Sequence, residues 1–483
     1  MLDAEIVIAG AGFSGLGMGI RLKQHGNDSF VILEQAAEVG GTWRDNAYPG
    51  CACDIPSMLY SYSFERRADW TRTYPRQPEL LDYLKAVSAK HGLGAHLRFN
   101  ARLDEARFDE ERGTWEVRTG DGATLTCRYL ISAMGPLSKP RYPDVPGLER
   151  FAGAAFHSAR WRHDVDLRGK NVVVVGTGAS AIQFIPQIAP EVARLTILQR
   201  TPPWIVPRAD ADVGPVRRFL RRRLPAYAWL VRKAVYWTQE IRAIGFVVNP
   251  KVLESREKLL RRFIERSVRD PELRRKVTPE YRAGCKRILI SDDYYPAIQR
   301  ENAELVTTPL AEVREHSVVD ADGREYPADV VIYGTGFKAS EGIVPVRIYG
   351  RAGAELSAAW REGMSAYLGT TVAGFPNLFF LIGPNTGLGH NSMIFMMEAQ
   401  YRYILSALDE VKRRGASTVE VKPEAQARFN ARLQEKMKRT VWATGCSSWY
   451  QDANGKNVSL WPGFTFAYRR LTARLKPERF RFD

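Results

Sequence analysis

The segment Glu5–Gly15 reads EIVIAGAGFSG and decides the fold of the N-terminal part of the chain. Residues 5–9 predict a buried strand, and a helical pattern follows the glycines. Gly10 allows a tight turn, Gly12 lets the backbone approach a pyrophosphate, and Gly15 permits close packing of the helix. The helix N-terminus then faces the phosphate charge. Strand, glycine turn and helix together predict a dinucleotide-binding unit.

The next apolar strand, residues 30–33, ends at Glu34, nineteen residues after Gly15. A carboxylate at this position accepts hydrogen bonds from ribose hydroxyls. It would repel a 2′-phosphate. The first unit is therefore predicted to bind an adenosine that carries no 2′-phosphate.

A second unit follows the same plan. Four valines, residues 172–175, run into a glycine turn, and the strand 195–198 ends at Arg200, nineteen residues after Ala181. Arg200 thus takes the place of Glu34 with the opposite charge, and a guanidinium holds a 2′-phosphate through charge-assisted hydrogen bonds. We predict FAD at the first unit and NADPH at the second. The predicted NADPH contacts here are Gly176, Thr177, Gly178, Ser180, Ala181, Arg200 and Thr201.

Two further strands end in glycine, at residues 129–135 and 330–336, and are interpreted as crossings between the two nucleotide domains, with ordinary sheet turns as the alternative. The predicted fold class is α/β, with two Rossmann-like dinucleotide-binding domains, for FAD and NADPH, and an inserted helical subdomain. The FAD domain is assigned to 1–145 and 371–483, the NADPH domain to 146–208 and 285–370, and the helical insertion to 209–284.

The insertion is basic and helix-prone. A solvated face over an apolar core is the favoured interpretation, and peripheral contact with an anionic membrane is the alternative. Its basic residues Arg217, Arg218, Arg221, Arg222, Arg223, Arg232 and Lys233 alternate with Phe219, Tyr227, Trp229, Tyr236 and Trp237.

Composition excludes several classes of protein. The net charge is +16, but no nucleic-acid-binding motif accompanies it, so the charge is taken as non-specific. No apolar run approaches the about 18 residues of a membrane span, and no secretory leader is predicted. The five cysteines are scattered and odd in number, which argues against a disulfide framework and for a reducing cytoplasm. No zinc or other metal spacing is present, and Cys51 and Cys53 lack the spacing of a thiol-disulfide redox pair.

A glycine-rich loop, residues 383–392, precedes a late helix that Ser392 is expected to cap. A helix N-terminus below a flavin ring would stabilise the charge of the reduced ring, which makes this loop a candidate third contact with FAD, and an ordinary capped loop is the alternative. Four side chains are candidate cleft residues that could equally belong to the core. They are Tyr60 and Met393 for FAD, Trp461 for NADPH, and Trp204.

Residues 151–161 match the pattern F-x-G-x-x-x-H-x-x-x-W through Phe151, Gly153, His157 and Trp161. With this signature, nearly the whole chain resembles the type I Baeyer-Villiger monooxygenases, a family of class B flavoprotein monooxygenases. The family has Pro or Asp directly after this signature, whereas this chain has Arg162. A basic residue at this position resembles the signature of the related flavin-containing monooxygenases, which oxidise nitrogen and sulfur. Oxidation of amines or sulfides therefore stays open as the alternative activity.

Three more blocks carry the resemblance: residues 40–43, residues 48–54, and Cys285-Lys286-Arg287 ahead of residues 293–295. The resemblance implies that Asp54 and Arg287 meet beside the flavin as the catalytic pair, and that Lys286 joins Arg200 on the 2′-phosphate. Ile288 stands where the family has proline. Gly41, Thr42 and Trp43 complete the predicted FAD contacts, which are otherwise Gly10, Gly12, Gly15, Glu34, Asp54, Tyr60 and Met393.

The implied reaction passes hydride from NADPH to FAD, forms a C4a-peroxyflavin with O2, and converts a ketone or aldehyde to an ester or lactone. Arg287 would stabilise the anions and Asp54 would position it, with a structural ion pair as the alternative. His157 is predicted to be structural, and the chain is expected to be a monomer or homodimer. A regulatory flavoprotein that senses the nicotinamide pool without turnover is the hypothesis from another class.

Overall fold

The computed structural model describes residues 2–446, 448–452 and 454–483. Two sheets built on parallel strands dominate it, and each contains one of the glycine units found in the sequence. The predicted α/β class with two Rossmann-like units is therefore confirmed.

The strands are short, as is usual for a doubly wound protein. In chain order they are β1 Ala4–Ala9, β2 Phe30–Leu33, β3 Leu97–Arg98, β4 Leu103–Asp109, β5 Thr114–Thr119, β6 Thr124–Ser132, β7 Ala154–His157, β8 Asn171–Val175, β9 Arg194–Leu198, β10 Ile205–Val206, β11 Leu289–Ile290, β12 Ala303–Val306, β13 Leu310–Val313, β14 Ser317–Asp320, β15 Glu325–Pro327, β16 Val330–Tyr333, β17 Arg347–Tyr349, β18 Leu378–Phe380, β19 Val419–Val421 and β20 Phe480–Phe482.

The helices range from single turns to a 22-residue helix. They are α1 Phe13–Gln24, α2 Thr42–Asp45, α3 Gln77–Lys90, α4 Ala181–Ile188, α5 Pro215–Arg223, α6 Pro225–Ala243, α7 Lys251–Ser267, α8 Pro271–Val277, α9 Tyr294–Ala297, α10 Ala339–Ile343, α11 Leu356–Ala359, α12 Met393–Arg414, α13 Pro423–Met437 and α14 Thr465–Leu471. A π-helical turn, Ile244–Val248, follows α6. Short 3-10 turns occur at Leu93–His96, Leu148–Arg150, Ser158–Arg160, Arg351–Gly353, Val441–Ala443 and Pro477–Arg479.

The first sheet has the order β17-β4-β5-β6-β1-β2-β3, with β18 pairing beside β6. Its centre is parallel: Ile6 of β1 pairs with Phe30 of β2 on one side and Tyr129 of β6 on the other. Strands of Val, Ile and Leu suit this place because both faces of a parallel sheet are covered. Nine of the twelve residues of α1 are buried between the sheet and α12.

The second sheet is entirely parallel, with the order β12-β9-β8-β16-β7. Its central strand β8 is the run of valines, in register with β9 and β16. The two predicted crossings are present. The chain leaves the first sheet after β6, joins the second at β7, and returns after β16.

One domain boundary is wrong. The chain rejoins the first sheet at β17, where Arg347–Tyr349 pairs with Glu105–Arg107 of β4, well before the predicted boundary at 370. A three-residue edge strand contributes too little apolar pattern to reveal its sheet, so the sequence could not show this return.

Two of the five cysteines are paired, contrary to the expectation from the sequence. Cys285 and Cys446 form a disulfide across a sequence separation of 161 residues. Their pairing depends on the tertiary fold, which linear spacing cannot show. The cysteine count therefore gives no support to a reducing compartment.

Candidate active site

The first glycine turn forms a cradle at the carboxyl end of β1. A side chain on Gly12 or Gly41 would be directed at the other backbone, because the Cβ position of Gly41 is 3.1 Å from the Cα of Gly12. The Cβ position of Gly10 would meet the carbonyl oxygen of Ala133 at 2.6 Å. The first-turn amides of α1 have no partner inside the helix. Close backbones and free amides fit the pyrophosphate of a dinucleotide.

Gly15 offers a direct test of this turn. Its Cβ position would lie 1.8 Å from the carbonyl oxygen of Gly10. We expect Gly15→Ala to lower the free energy of unfolding by about 1–3 kcal/mol, the cost of overpacking, and to reduce bound FAD. The control is Gly94→Ala, since Gly94 has open space around it. Thermal unfolding and flavin absorbance measure both effects, and an unchanged Gly15→Ala protein would contradict the close packing.

Glu34 lies buried at the end of β2, where the sequence predicts the ribose. Its carboxylate accepts hydrogen bonds from the Ala11 amide at 2.9 Å, the Ala36 amide at 3.0 Å and Arg44 Nη1 at 2.9 Å. Arg44 also pairs with Asp45 at 2.8 Å. These donors fix the orientation of the carboxylate beside the turn. Arg44 carries no motif that would have identified it from sequence.

The short helix α2 places Trp43 against Tyr60. The Trp43 indole donates to the Tyr60 hydroxyl at 3.2 Å, and Gln77 Nε2 donates to the Trp43 carbonyl at 2.5 Å. Burial raises the pKa of Tyr60 well above its ordinary value, so its hydroxyl stays neutral. Thr42, the first residue of α2, is exposed and lies next to Gly41 of the cradle.

Asp54 and Arg287 meet although 233 residues separate them in sequence. Arg287 Nε donates to Asp54 Oδ2 at 2.9 Å and Nη2 donates to the same oxygen at 2.5 Å. Both side chains are about one-third exposed. The neighbouring carboxylate raises the pKa of Arg287 above its ordinary value, so the guanidinium stays charged. Its Nη1 faces the Leu388 carbonyl at 3.5 Å, beside the glycine-rich loop.

The Asp54 loop is held by the second unit. Gln183 of α4 accepts from the Tyr48 hydroxyl at 3.1 Å and exchanges hydrogen bonds with the backbone of Ala52 at 3.2 and 3.0 Å. Gly50 allows α4 to approach, because its Cβ position is 2.6 Å from the Gln183 carbonyl oxygen. The two nucleotide units therefore jointly position the pair. Nothing in the sequence pattern marks Gln183 for this role.

Tyr450 is a second residue that the sequence did not reveal. It is buried beside Arg287 and Asp54, and burial raises its pKa to about 12. Its hydroxyl meets no hydrogen-bond partner with good geometry among the described residues, and the nearby Arg287 charge partly offsets the effect of burial on its pKa.

The second glycine turn repeats the geometry of the first. The Cβ position of Gly176 would meet the Gly334 carbonyl oxygen at 2.7 Å, as that of Gly10 would meet the oxygen of Ala133. Thr177 is buried in the turn, and Ser180 precedes Ala181, the first residue of α4. Ser180 makes no side-chain cap, which leaves the first amides of this helix without a side-chain acceptor from that residue.

Arg200 follows β9, beside the half-buried Thr201, and is close enough to Lys286 for its charge to act on that residue. Burial, and then the charge of Arg200, lower the pKa of Lys286 from its ordinary value. Within the described residues neither cation forms a salt bridge, and the Lys286 ammonium lies 4.8 Å from the centre of the Tyr281 ring. Two adjacent cations without a carboxylate partner fit a phosphate group.

A bound 2′-phosphate would raise the pKa of Lys286, which is lowered in the free protein. At an alkaline pH between the depressed pKa of free Lys286 and its higher pKa in the complex, we expect NADPH binding to be accompanied by proton uptake, because the phosphate raises that pKa. Affinity is then full below the depressed pKa and falls as the pH rises through it. Calorimetry in buffers of different ionisation enthalpy measures the protons. NADH and the Lys286→Arg variant are the controls, and equal proton uptake with NADH would contradict the assignment.

The glycine-rich loop, residues 383–392, leads into α12 beside the Arg287–Asp54 pair. Ser392 does not cap the helix with its side chain, contrary to expectation. The Asn391 side chain instead accepts from the Ser392 amide at 2.8 Å, and the buried Ser392 hydroxyl has no partner among the described residues. Met393, the first residue of α12, is half-buried. Arg287 reaches Leu388 in the same loop, so the helix N-terminus and the ion pair share one region.

Two aromatic residues do not line an open cleft. Trp204 is fully buried, and its indole donates to the Tyr281 carbonyl at 2.8 Å, so the cleft interpretation is wrong for it. Trp461 is 5% exposed, donates to the Phe464 carbonyl at 3.1 Å and packs on Tyr468. These contacts lie in the C-terminal part of the chain, and contact between Trp461 and NADPH stays a prediction.

The signature surrounds the edge strand β7. His157 is fully buried; its Nε2 donates to the Gly336 carbonyl at 2.9 Å and its Nδ1 accepts from the Ala159 amide at 3.1 Å. Burial lowers the pKa of His157 to about 4, so the ring stays neutral. It ties β7 to the return after β16, which supports a structural role.

The other signature residues also make structural contacts. The Cβ position of Gly153 would meet the Asp329 carbonyl oxygen at 2.3 Å and the ring of Phe151 at 2.8 Å. Trp161 packs on Phe184 of α4 at 5.3 Å. Arg162, the departure from the signature, pairs with Asp164 on the surface at 2.5 Å. It therefore does not argue for a different chemistry in the cleft.

The two cysteines beside Asp54 have the environment of unreactive thiols. Cys51 and Cys53 are buried and form no disulfide. Burial raises the pKa of Cys51 to about 12 and that of Cys53 well above its ordinary value. Protonated thiols are poor nucleophiles, which argues against a thiol-disulfide pair.

Two dinucleotide cradles facing a charged Arg–Asp pair define a flavin- and nicotinamide-dependent oxidoreductase. A family profile described as pyridine nucleotide-disulphide oxidoreductase matches residues 7–245. A Baeyer-Villiger monooxygenase of Pseudomonas aeruginosa is 48% identical over 97% of this chain and 89% of its own length.

Solved structures of monooxygenases are similar to this chain over its whole length. The OTEMO complex with FAD and NADP has a TM-score of 0.91 at 28% identity and covers 100% of both chains. The closed structure of cyclohexanone monooxygenase has a TM-score of 0.89 at 30% identity and covers 99% of both chains. The chain belongs to the Baeyer-Villiger monooxygenases. Among the described residues, no helix is both long and apolar enough to cross a membrane.

Proposed function

We propose that this enzyme inserts one oxygen atom of O2 beside the carbonyl of a ketone or aldehyde, with FAD and NADPH as cofactors, and releases an ester or lactone. The observation that carries the proposal is the Arg287–Asp54 pair at the junction of the two nucleotide units. Bound FAD, reduced by NADPH, would activate O2, of which one atom enters the product and the other leaves as water.

FAD would be held by the first cradle, with Gly10, Gly12 and Gly41 around the pyrophosphate and Glu34 at the ribose. Trp43, Tyr60 and Met393 are proposed to contact the flavin. The second turn would hold NADPH, with Arg200 and Lys286 on the 2′-phosphate. Each of these residues has the chemistry and the environment that its assigned group requires.

The role proposed for Arg287 is electrostatic. A guanidinium that stays charged would stabilise negative charge on the reacting oxygen and on the substrate oxygen when the carbonyl carbon becomes tetrahedral. Both Nε and Nη2 donate to Asp54, which leaves Nη1 directed elsewhere. Asp54 would therefore orient Arg287, and the Gln183 contact would hold the Asp54 loop.

The proposal is tested by product analysis with FAD-loaded protein, NADPH and O2. Cyclic and linear ketones, an aldehyde, a sulfide and an amine are offered separately. We expect ester or lactone from at least one carbonyl compound, with NADPH consumed in proportion. If only the sulfide or amine is oxidised, the heteroatom activity replaces the proposal. Flavin that NADPH never reduces would instead support the sensor hypothesis.

A further inference from the structure

The outer side of α6 and of the π-helical turn is apolar although it faces solvent. Eleven of the seventeen large apolar side chains exposed in the described chain lie between residues 216 and 259. Five of them recur at helical spacing on one side and are exposed by 38% to 59%. A contiguous apolar patch marks an interaction surface, whereas scattered exposed residues do not. We call these five the outer stripe: Leu230, Trp237, Ile241, Ile244 and Val248.

The other side of α6 is fixed to the body of the protein. The Tyr236 hydroxyl bonds to Thr465 at 3.0 Å, and buried Glu240 accepts from Asn391 at 2.6 Å. Arg232 donates to the Met58 carbonyl at 2.6 Å. The outer stripe is thus presented by an anchored helix that already has a buried face. The outer stripe is therefore not the face of α6 that packs on the protein core.

The charge around the outer stripe is strongly positive. Helices α5 and α6 contain eight arginine and lysine residues and one acidic residue, Glu240, which is buried. Within the described residues only one of the eight reaches a carboxylate, Arg222 to Asp69 at 3.9 Å. Arg232 belongs to the anchored side, where it donates to the Met58 carbonyl, and the other six have no carboxylate partner among the described residues. The apolar stripe therefore has a surround of largely unpaired positive charge.

We propose that this face docks peripherally on an anionic lipid surface. Tryptophan and aliphatic side chains of the outer stripe would enter the boundary between headgroups and acyl chains, as in interfacial helices. Arginine and lysine would lie at the headgroups, with their aliphatic stems along the apolar layer. A surface-lying helix needs no membrane-spanning length.

A second copy of the chain fits this face less well. A symmetric dimer would bring the same patch against itself, and the unpaired cations of both copies would face each other. Like charges across an interface oppose association. An anionic surface supplies the opposite charge.

The test is sedimentation of FAD-loaded protein with vesicles of phosphatidylcholine alone or mixed with phosphatidylglycerol. One variant, Trp237→Ser with Ile241→Ser, removes apolar side chains of the outer stripe. A second variant, Arg222→Gln with Arg223→Gln and Lys233→Gln, removes positive charge around it. Matched controls outside the face are Phe99→Ser with Leu137→Ser, and Arg112→Gln with Arg150→Gln and Arg168→Gln. Flavin absorbance and circular dichroism verify that each variant is folded.

We expect binding to the mixed vesicles only, weakened by salt, with affinity lowered about 100-fold in the triple charge variant and unchanged in the controls. No binding to the mixed vesicles at low salt would overturn the proposal. So would equal binding to both vesicle types, or equal losses in face and control variants. Analytical ultracentrifugation showing a dimer that only the face variants dissociate would assign the face to a second copy instead.

Discussion

Replacing Arg287 by alanine lowers the rate of ester formation roughly 10²–10³-fold, the effect of removing one preorganised donor to a developing oxyanion. The cradles are untouched by this change, so FAD content and flavin reduction by NADPH stay close to wild type. Reducing equivalents are then released as hydrogen peroxide. Parallel assays of ester, NADPH and peroxide measure the result.

One further variant separates charge from geometry at this position, and a second serves as its control. Arg287→Lys keeps the charge but loses the planar fork that donates twice to Asp54, so its rate is expected between those of wild type and alanine. Arg162→Ala is the matched control, since that arginine pairs with Asp164 on the surface. Ester formation by Arg287→Ala at the wild-type rate would leave the pair with only a structural role.

Removing the two phosphate-site cations changes the choice of nicotinamide. In the Arg200→Ala, Lys286→Ala double variant, kcat/KM for NADPH is expected to fall by at least about 100-fold relative to NADH, since each of the two charge-assisted hydrogen bonds lost contributes about 1.5–3 kcal/mol. NADH carries no 2′-phosphate, so its kcat/KM stays nearly constant.

The control for this change is Arg194→Ala. Arg194 belongs to the same strand as the Arg200 turn but pairs with Glu304 at 2.7 Å. Its loss leaves the ratio of NADPH to NADH unchanged. If Arg200 and Lys286 can be removed without altering that ratio, the 2′-phosphate binds elsewhere.

The sequence was sufficient for the parts of the site that are local. Gly10, Gly12 and Gly15 occupy one turn whose steric demands only glycine meets. The roles of Glu34 and Arg200 at the ribose and the 2′-phosphate follow from their charges and from their spacing after such turns. The fold confirms both turns at the ends of parallel strands. The meeting of Asp54 and Arg287 was predicted through family resemblance, not through spacing.

The remainder depends on contacts between distant segments. Gln183 holds the Asp54 loop and Tyr450 lies beside Arg287, yet each stands in an unremarkable local pattern. The Cys285–Cys446 disulfide and the burial of Trp204 have the same cause. Residue type and local spacing alone do not reveal which distant segments pack together. Aromatic side chains predicted for a cleft can therefore belong to the core.

The most direct test of the central claim follows the oxygen atom itself. FAD-loaded enzyme is incubated with NADPH, a ketone that it consumes and isotopically labelled O2, and the product is analysed by mass spectrometry. We expect an ester or lactone that carries one labelled oxygen, and we expect its formation to depend on Arg287. Product without the label, or peroxide as the only oxygen product with every carbonyl compound, would contradict it.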